Sequence, residues 1–264
     1  MTEVIARMYR NLLVTEHDRI AHVTMNRPEK RNALSVEHMN ELIACFEAIG
    51  QNRHLAVVIL RGNGPVFCSG HDLNEMIGRT LEYYRHEFDV CTVLMETIQR
   101  IPQPVIAQVH GIATAAGCQL VASCDLAVAA STAKFATPGV KIGLFCSTPM
   151  VAVSRAMGMK KTLELLLTGE SISAQEALEN GLINRVVSPE GLEGETLALA
   201  AKIAASSSYV VGLGKAAFYH QLDLPQAEAY TYAREVMSNN ALAADAQEGM
   251  GAFLEKRKPT WQNR

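Results

Sequence analysis

"VHGIATAAGCQLVASCD", residues 109–125, is the stretch on which the fold turns. An apolar β-run over 105–109 enters small residues and glycines, and an apolar helical pattern begins near Ala115. Such a strand–turn–helix junction offers main-chain N–H groups to an anion, because the first turn of a helix has no acceptors for them. An acid or base is expected on that turn, yet Gln119 stands there. The stretch is therefore a catalytic site, a site stripped of its catalyst, or a tight turn.

The surrounding sequence sets the context. Residues 12–16 and 20–25 alternate around "EHDR" and predict a β-hairpin. "SVEHMNELIACFEAIG" places Val36, Met39, Leu42, Ile43, Phe46 and Ile49 on one helical face. "AVVILRG" reads as a buried strand, and "GNGPVFCSGHD" as a glycine-rich loop after it. Residues 82–100 carry Phe88, Cys91, Leu94, Met95 and Ile98 at helical spacing, and Pro102 and Pro104 end that helix. With the junction and a strand over 125–130, short β-then-α units alternate through about residue 190. Residues 191–205, 209–220, 225–240 and 245–256 then read as helices, and "SAQE" (173–176) and "DAQE" (245–248) as capping boxes. An α/β core over 1–190 and a helical region over 191–264 are expected. The helical region either docks on another subunit or closes its own core.

The 264 residues, 48% hydrophobic and 19% charged, suffice for one large core with an appendage or for two modest domains. A net charge of −3 gives no general attraction to nucleic acid or to an anionic membrane. No apolar run reaches the roughly 18–20 residues of a bilayer span. The first twenty residues have no signal-peptide core. Arg7 and Arg10 are in the manner of a transit segment, but Glu3, Glu16 and Asp18 argue against one, so a cytoplasmic protein is expected. Six cysteines without a C-x-x-C pair predict reduced, packed thiols and no metal site.

"FCSGHDL" (67–73) and "ATAAGCQL" (113–120) share one physical character: each follows a strand and contains a glycine free to take positive φ. Each can turn a main-chain N–H outward, and two convergent donors make an oxyanion hole. Spacing alone equally admits two tight connections with no ligand. "NRPEKRNALS", "FCSGHDLNEM", "PVIAQVHGIATAAGCQLVASCDLAVA", "FATPGVKIGL", "LTGESISAQEALENGLINRVV" and "EGMGAFLEKRKPTW" decide between these. In order and spacing they resemble the enoyl-CoA hydratase/isomerase (crotonase) superfamily over roughly residues 12–262.

That resemblance implies an α/β spiral of ββα units whose C-terminal helices build homotrimers, often paired into hexamers. It implies an oxyanion hole for an acyl-CoA thioester, with donors on the backbone N–H of His71 and of Ala116. Alanine replaces the family's usual glycine at 116, which keeps the N–H but narrows the backbone angles. The CoA-contacting positions fall on Arg31, Ala33, Leu34, Cys68, Gly70, Asp72 and Leu73, with Lys256 reaching CoA phosphate from the C-terminal helix. Coenzyme A then enters as part of the substrate, with no tightly bound cofactor.

The resemblance also marks two losses. Hydratases of the family carry two glutamates, and the matching positions here are Gln119 and Gly139. A positioned acid or base contributes about 10²–10⁴ in rate, so ordinary hydration is expected to be crippled. Restoring both carboxylates is expected to raise it. Cys146 matches approximately a position where naphthoate synthases of the superfamily carry an active aspartate, and its thiol is a conceivable proton donor or simply a packed cysteine. The His71 ring is a further titratable candidate. Asp72 is expected to fix its loop, and His110 to be a satisfied half-buried histidine. "GLGK" (212–215) lacks the spacing of a phosphate loop. Three readings follow: a hydratase-like lyase, another acyl-CoA reaction such as isomerisation or thioester hydrolysis, and a CoA-thioester binder without turnover.

Overall fold

After an opening hairpin, strands come in pairs whose two members enter different sheets. The computed structural model describes residues 9–264 and the backbone of a short strand, Glu3–Val4; Arg7 and the Glu3 side chain lie outside the described residues. Leu12–His17 and Ile20–Met25 form the expected hairpin. Its turn holds Asp18 and Arg19 at φ 49° and 67°, the left-handed pair whose twist suits a two-residue hairpin. Val57–Gly62, Val105–Val109, Leu126–Ala130 and Arg185–Val187 add in parallel, completing a seven-stranded sheet.

Val66–Cys68, Ile112–Thr114 and Lys134–Ala136 each follow one of these strands within a few residues and pair in parallel in a second sheet. Ser171–Ser173 closes that four-stranded sheet from one edge. Helices follow each strand pair: Leu73–Met76 and Leu81–Arg100, then Ala116–Ser123, then Ser147–Ala156 with Met159–Thr168. Each β-β-α step moves the chain one strand along both sheets, which is the spiral that the resemblance implies. Five three-residue strands were not anticipated, Lys134–Ala136, Ser171–Ser173 and Arg185–Val187 among them. Val66–Cys68 lies inside the expected glycine-rich loop and Ile112–Thr114 inside the junction. Three residues are too few to show alternation.

Ser35 caps helix Val36–Gln51 by accepting from the His38 N–H, and Thr80 caps Leu81–Arg100 by accepting from the Tyr83 N–H. The two helices pack on each other and on the core through Met39, Leu42 and Phe46, and through Cys91, Leu94 and Ile98. The same two helices also bury three polar residues, His38, Glu87 and Thr97. On the other face of the large sheet, Leu192 and Ala200 of helix Leu192–Ala204 cover Val57, Ile59, Ile106 and Val128. Helices Ser208–Leu222, Gln226–Ala241 and Ala244–Leu254 complete the chain. No single helix among the described residues is long and apolar enough to cross a membrane.

"SAQE" forms its capping box, with both reciprocal bonds between Ser173 and Glu176 present. "DAQE" does not. Its helix begins at Ala244, and the Asp245 carboxylate accepts from the Ser207 hydroxyl and from the N–H groups of Gln262 and Asn263. Tying Ser207 and the C-terminal residues Gln262 and Asn263 to one buried carboxylate outweighs the local cap. "GLGK" is helix interior, and its lysine is an anchor. The Lys215 ammonium donates to the carbonyls of Ile98 and Gln103 and pairs with Asp125 Oδ2 at 2.7 Å. Asp125 also accepts from the Val105 N–H and the Tyr219 hydroxyl. Removing one partner of a buried pair strands the other charge. Lys215→Met is therefore expected to lower unfolding free energy by about 3–5 kcal/mol. Urea denaturation reads this, and a loss near zero would mean that the ammonium merely fills space.

Candidate active site

Leu34 and His71 form an isolated parallel bridge. The Leu34 N–H donates to Gly70 O at 2.8 Å, and the Asp72 N–H donates to Leu34 O at 3.1 Å. In a parallel bridge these bonds use the groups flanking His71, so the His71 N–H faces away from Leu34. Ala116 is the first residue of helix Ala116–Ser123, where an N–H has no intrahelical acceptor. Gly70, at φ +93°, brings the two donors together. A Cβ there would stand 2.8 Å from the Ala115 Cβ and 3.3 Å from the Ala116 N. His71 and Ala116 both line one cavity of about 570 Å³. A larger cleft of about 830 Å³, beside Ser208, Tyr209 and Arg264, contains neither donor.

The narrowed backbone expected at Ala116 lies one residue earlier. Ala115 stands at φ 52°, ψ −120°, a region that favours glycine, while Ala116 is helical. Ala115 is clamped from both sides: its N–H donates to Ala136 O at 2.9 Å, and its carbonyl accepts from the Gln119 N–H at 3.1 Å.

Of the positions matched to CoA contacts, Arg31, Ala33, Asp72 and Leu73 line the cavity. Leu34 and Cys68 are fully buried outside the lining, where burial pushes the Cys68 thiol up to about 12. Lys256 follows the last helix and is not among the lining residues of this cavity. Asp72 caps Leu73–Met76, accepting from the Asn74 N–H, and pairs with Arg27 at 3.2 Å. Burial opposes its ionisation, but the hydrogen bonds from Asn74 and Arg27 outweigh burial and hold the carboxyl below its ordinary value. His110 Nε2 meets Gly64 O at 2.8 Å.

Gln119 is buried and does not line the cavity; its Oε1 accepts from the Cys91 thiol at 3.9 Å. Gly139 does line it, but a side chain there has no room. A Cβ would collide with the Leu144 carbonyl oxygen and stand 2.8 Å from Cys146 Sγ. The Leu144 N–H closes this turn on Gly139 O at 3.0 Å, and the Gly139 backbone also hydrogen-bonds the Cys146 sulfur. The chain itself fills the second carboxylate's place, so a glutamate cannot be restored at 139 without displacing Leu144 and Cys146. Burial holds the Cys146 thiol above its usual range, and therefore protonated.

The His71 ring meets Phe88 edge-on at 5.4 Å, and burial lowers the imidazole to about 4. Met76, Phe88 and Phe145 add an apolar wall. The sequence pointed to 76–100 for one side of this wall, but only Gly139 and Cys146 hinted at the other.

Residues 15–264 match the profile of the family described as enoyl-CoA hydratase/isomerase, and the chain belongs to that family. It is 49% identical over 249 residues to human "enoyl-CoA hydratase domain-containing protein 3, mitochondrial", covering 93% of this chain and 82% of the relative. The crystal structure of that human protein superposes with a TM-score of 0.93 at 47% identity, covering 96% of this chain and all of the other. An enoyl-CoA hydratase from Mycobacterium smegmatis superposes at 0.94, also 47% identical, covering 96% of this chain and 99% of the other.

The cytoplasmic expectation is overturned, because the human relative and its rat counterpart, 48% identical to this chain, are both named as mitochondrial. Two of the acidic residues weighed against a transit segment, Glu16 and Asp18, belong to the folded hairpin and say nothing about a leader.

Gly139→Glu is expected to lower stability by at least about 1–3 kcal/mol through overpacking and to leave hydration unrestored. Urea titration and crotonyl-CoA turnover check both halves. An equally stable variant with faster hydration would show that the wall yields.

Proposed function

We propose that the chain binds an acyl-CoA thioester and holds its carbonyl oxygen between the N–H groups of His71 and Ala116, stabilising the enolate. The observation that carries this reading is the convergence of two main-chain donors in one partly apolar cavity. Lys30 and Arg31 also line it and suit the phosphates of CoA, which enters as part of the substrate. An oxyanion donor supplies about 10²–10³ in rate. Hydration additionally needs a base for water at Cβ, and neither Gln119 nor Gly139 is one. Slow crotonyl-CoA hydration is therefore expected, and chemistry limited to the α-carbon fits the residues better.

Phe218, Leu222, Tyr230, Met237, Leu242 and Phe253 leave large apolar groups exposed on the C-terminal helices. A homotrimer or a pair of trimers, in which these faces are covered, is part of the same reading. Light scattering tests it, and a monomer would refute it.

The backbone role separates two substitutions at one position. His71→Ala keeps the N–H, whereas His71→Pro removes it. Calorimetry with a short acyl-CoA is expected to show a small loss for the first and a large one for the second. Equal losses would refute a main-chain donor.

A further inference from the structure

Beside the cavity lie three buried titratable groups that the site does not use. Nε2 of His38, Nε2 of His71 and both carboxyl oxygens of Glu87 are sealed from solvent without a hydrogen-bond partner. Buried polar atoms of this kind are uncommon enough to need an account. Among the described residues no three His, Cys, Asp or Glu are placed to hold a metal ion, so the set is not a metal centre.

Glu87 is the member that chemistry singles out. It is 0% exposed, on the buried stripe of helix Leu81–Arg100. Its neighbour Phe88 lines the cavity and packs on the His71 ring. One turn further on, Cys91 contacts Gln119, at the position where the family's first glutamate is missing. Glu87 thus sits on a helix that touches both His71 and Gln119. His71 joins the two sides: it lines the cavity, while its Nε2 faces inward without a partner. The relay requires Nδ1 on the cavity side, opposite the sealed Nε2, the arrangement in which an imidazole passes protons.

We infer that His71 and Glu87 form a proton relay, with a buried water between them, that exchanges the α-proton of a bound acyl-CoA. The step rests on the acyl-CoA reading given above. The proton leaves Cα for His71 Nδ1, and the electron pair stays in the enolate held by the two N–H groups. His71 releases its Nε2 proton through the water to Glu87, whose carboxylate becomes a carboxyl. Once the carboxyl proton has exchanged with water during local opening of the helix, the reverse sequence returns a solvent-derived proton to Cα, so charge and atoms balance.

The surroundings match this role. Burial, aided by the charges of Glu75 and Asp72 and opposed by Arg79, raises the Glu87 carboxyl to about 7, the range suited to proton transfer at neutral pH. Tyr83 and Cys91 face it from its own helix. Helix Val36–Gln51 runs alongside, its end meeting the end of the Glu87 helix where Gly50 approaches Ile101 and Glu47 pairs with Arg100. His38 near its start is held neutral, at about 4. Below pH 7 the carboxyl is protonated and cannot accept, so exchange should rise with pH through about 7 and then level.

The test is deuterium exchange at Cα of a saturated short acyl-CoA in D₂O, followed by NMR at saturating ligand, with affinity measured separately by calorimetry. The wild-type protein should exchange with an inflection near pH 7. Glu87→Gln should lower the plateau about 100-fold and abolish the inflection, Glu87→Asp should recover part of both, and Asp89→Asn, on the same helix, should change neither. His71→Phe, which keeps the N–H but has no ring nitrogen, should match Glu87→Gln, and it decides the question if Glu87→Gln does not fold. Binding without exchange in the wild type, or exchange unaffected by either substitution, would overturn the relay alone. Absence of binding would overturn the acyl-CoA reading and the relay with it.

Discussion

Everything in the site depends on how closely Gly70 approaches the backbone of Ala115 and Ala116. The approach is possible because Gly70 has no Cβ and stands at φ +93°. It brings the end of Val66–Cys68 beside the end of Ile112–Thr114, where Cys68 pairs with Ala113 and the Thr114 hydroxyl donates to Ser69 O. The unusual angles at Ala115 typically cost about 1–3 kcal/mol. They persist because bonds from Ala115 to Ala136 and Gln119 leave the residue no alternative. The donors are fixed before any ligand arrives, which is the condition for electrostatic stabilisation of a developing oxyanion.

Such a site tolerates unequal losses. Its anion-holding half is main chain, so side-chain substitution at 71 or 116 leaves the N–H groups in place. Its proton-handling half is made of side chains, and the chain has given up both carboxylates while keeping the cavity walls intact. Gln119 turns toward Cys91, and the 139–146 segment folds into the space that a side chain at 139 would need. The proposed acyl-binding device would thereby be separable from any one reaction, and the fold alone does not fix the chemistry.

Long periodic elements were legible in the sequence, and short or tertiary ones were not. The hairpin, the helices around Phe46 and Leu94 and the C-terminal helices follow from spacing. Four of the three-residue strands pair only within the second sheet, and the fifth, Arg185–Val187, only at the edge of the first. Glu87 shows how a correct pattern can hide a residue: counting back one turn from Cys91 places it on the buried stripe, but its charge argues for solvent. The two donors were reachable through the resemblance of "SGHD" and "AAGC". The closed wall at Gly139 was not, because it depends on Leu144 and Cys146 returning to it. The anchoring role of Lys215 was not legible in "GLGK", since nothing local announces a partner as distant as Asp125.

That distant pair links the helical quarter to the site. Asp125 ends the same 109–125 stretch that carries Ala116, and its carboxylate also accepts from the Val105 N–H at the start of the strand leading into that stretch. Lys215 and Tyr219 grip this carboxylate from helix Ser208–Leu222. The strand that aims the oxyanion donor and the helix that bears exposed apolar surface are therefore fastened through one buried carboxylate. Loss of the Lys215–Asp125 pair would therefore loosen both ends of the 105–125 segment together. A displacement there would move Ala116 relative to Gly70, and a well-packed interior gives little room for the two to shift independently.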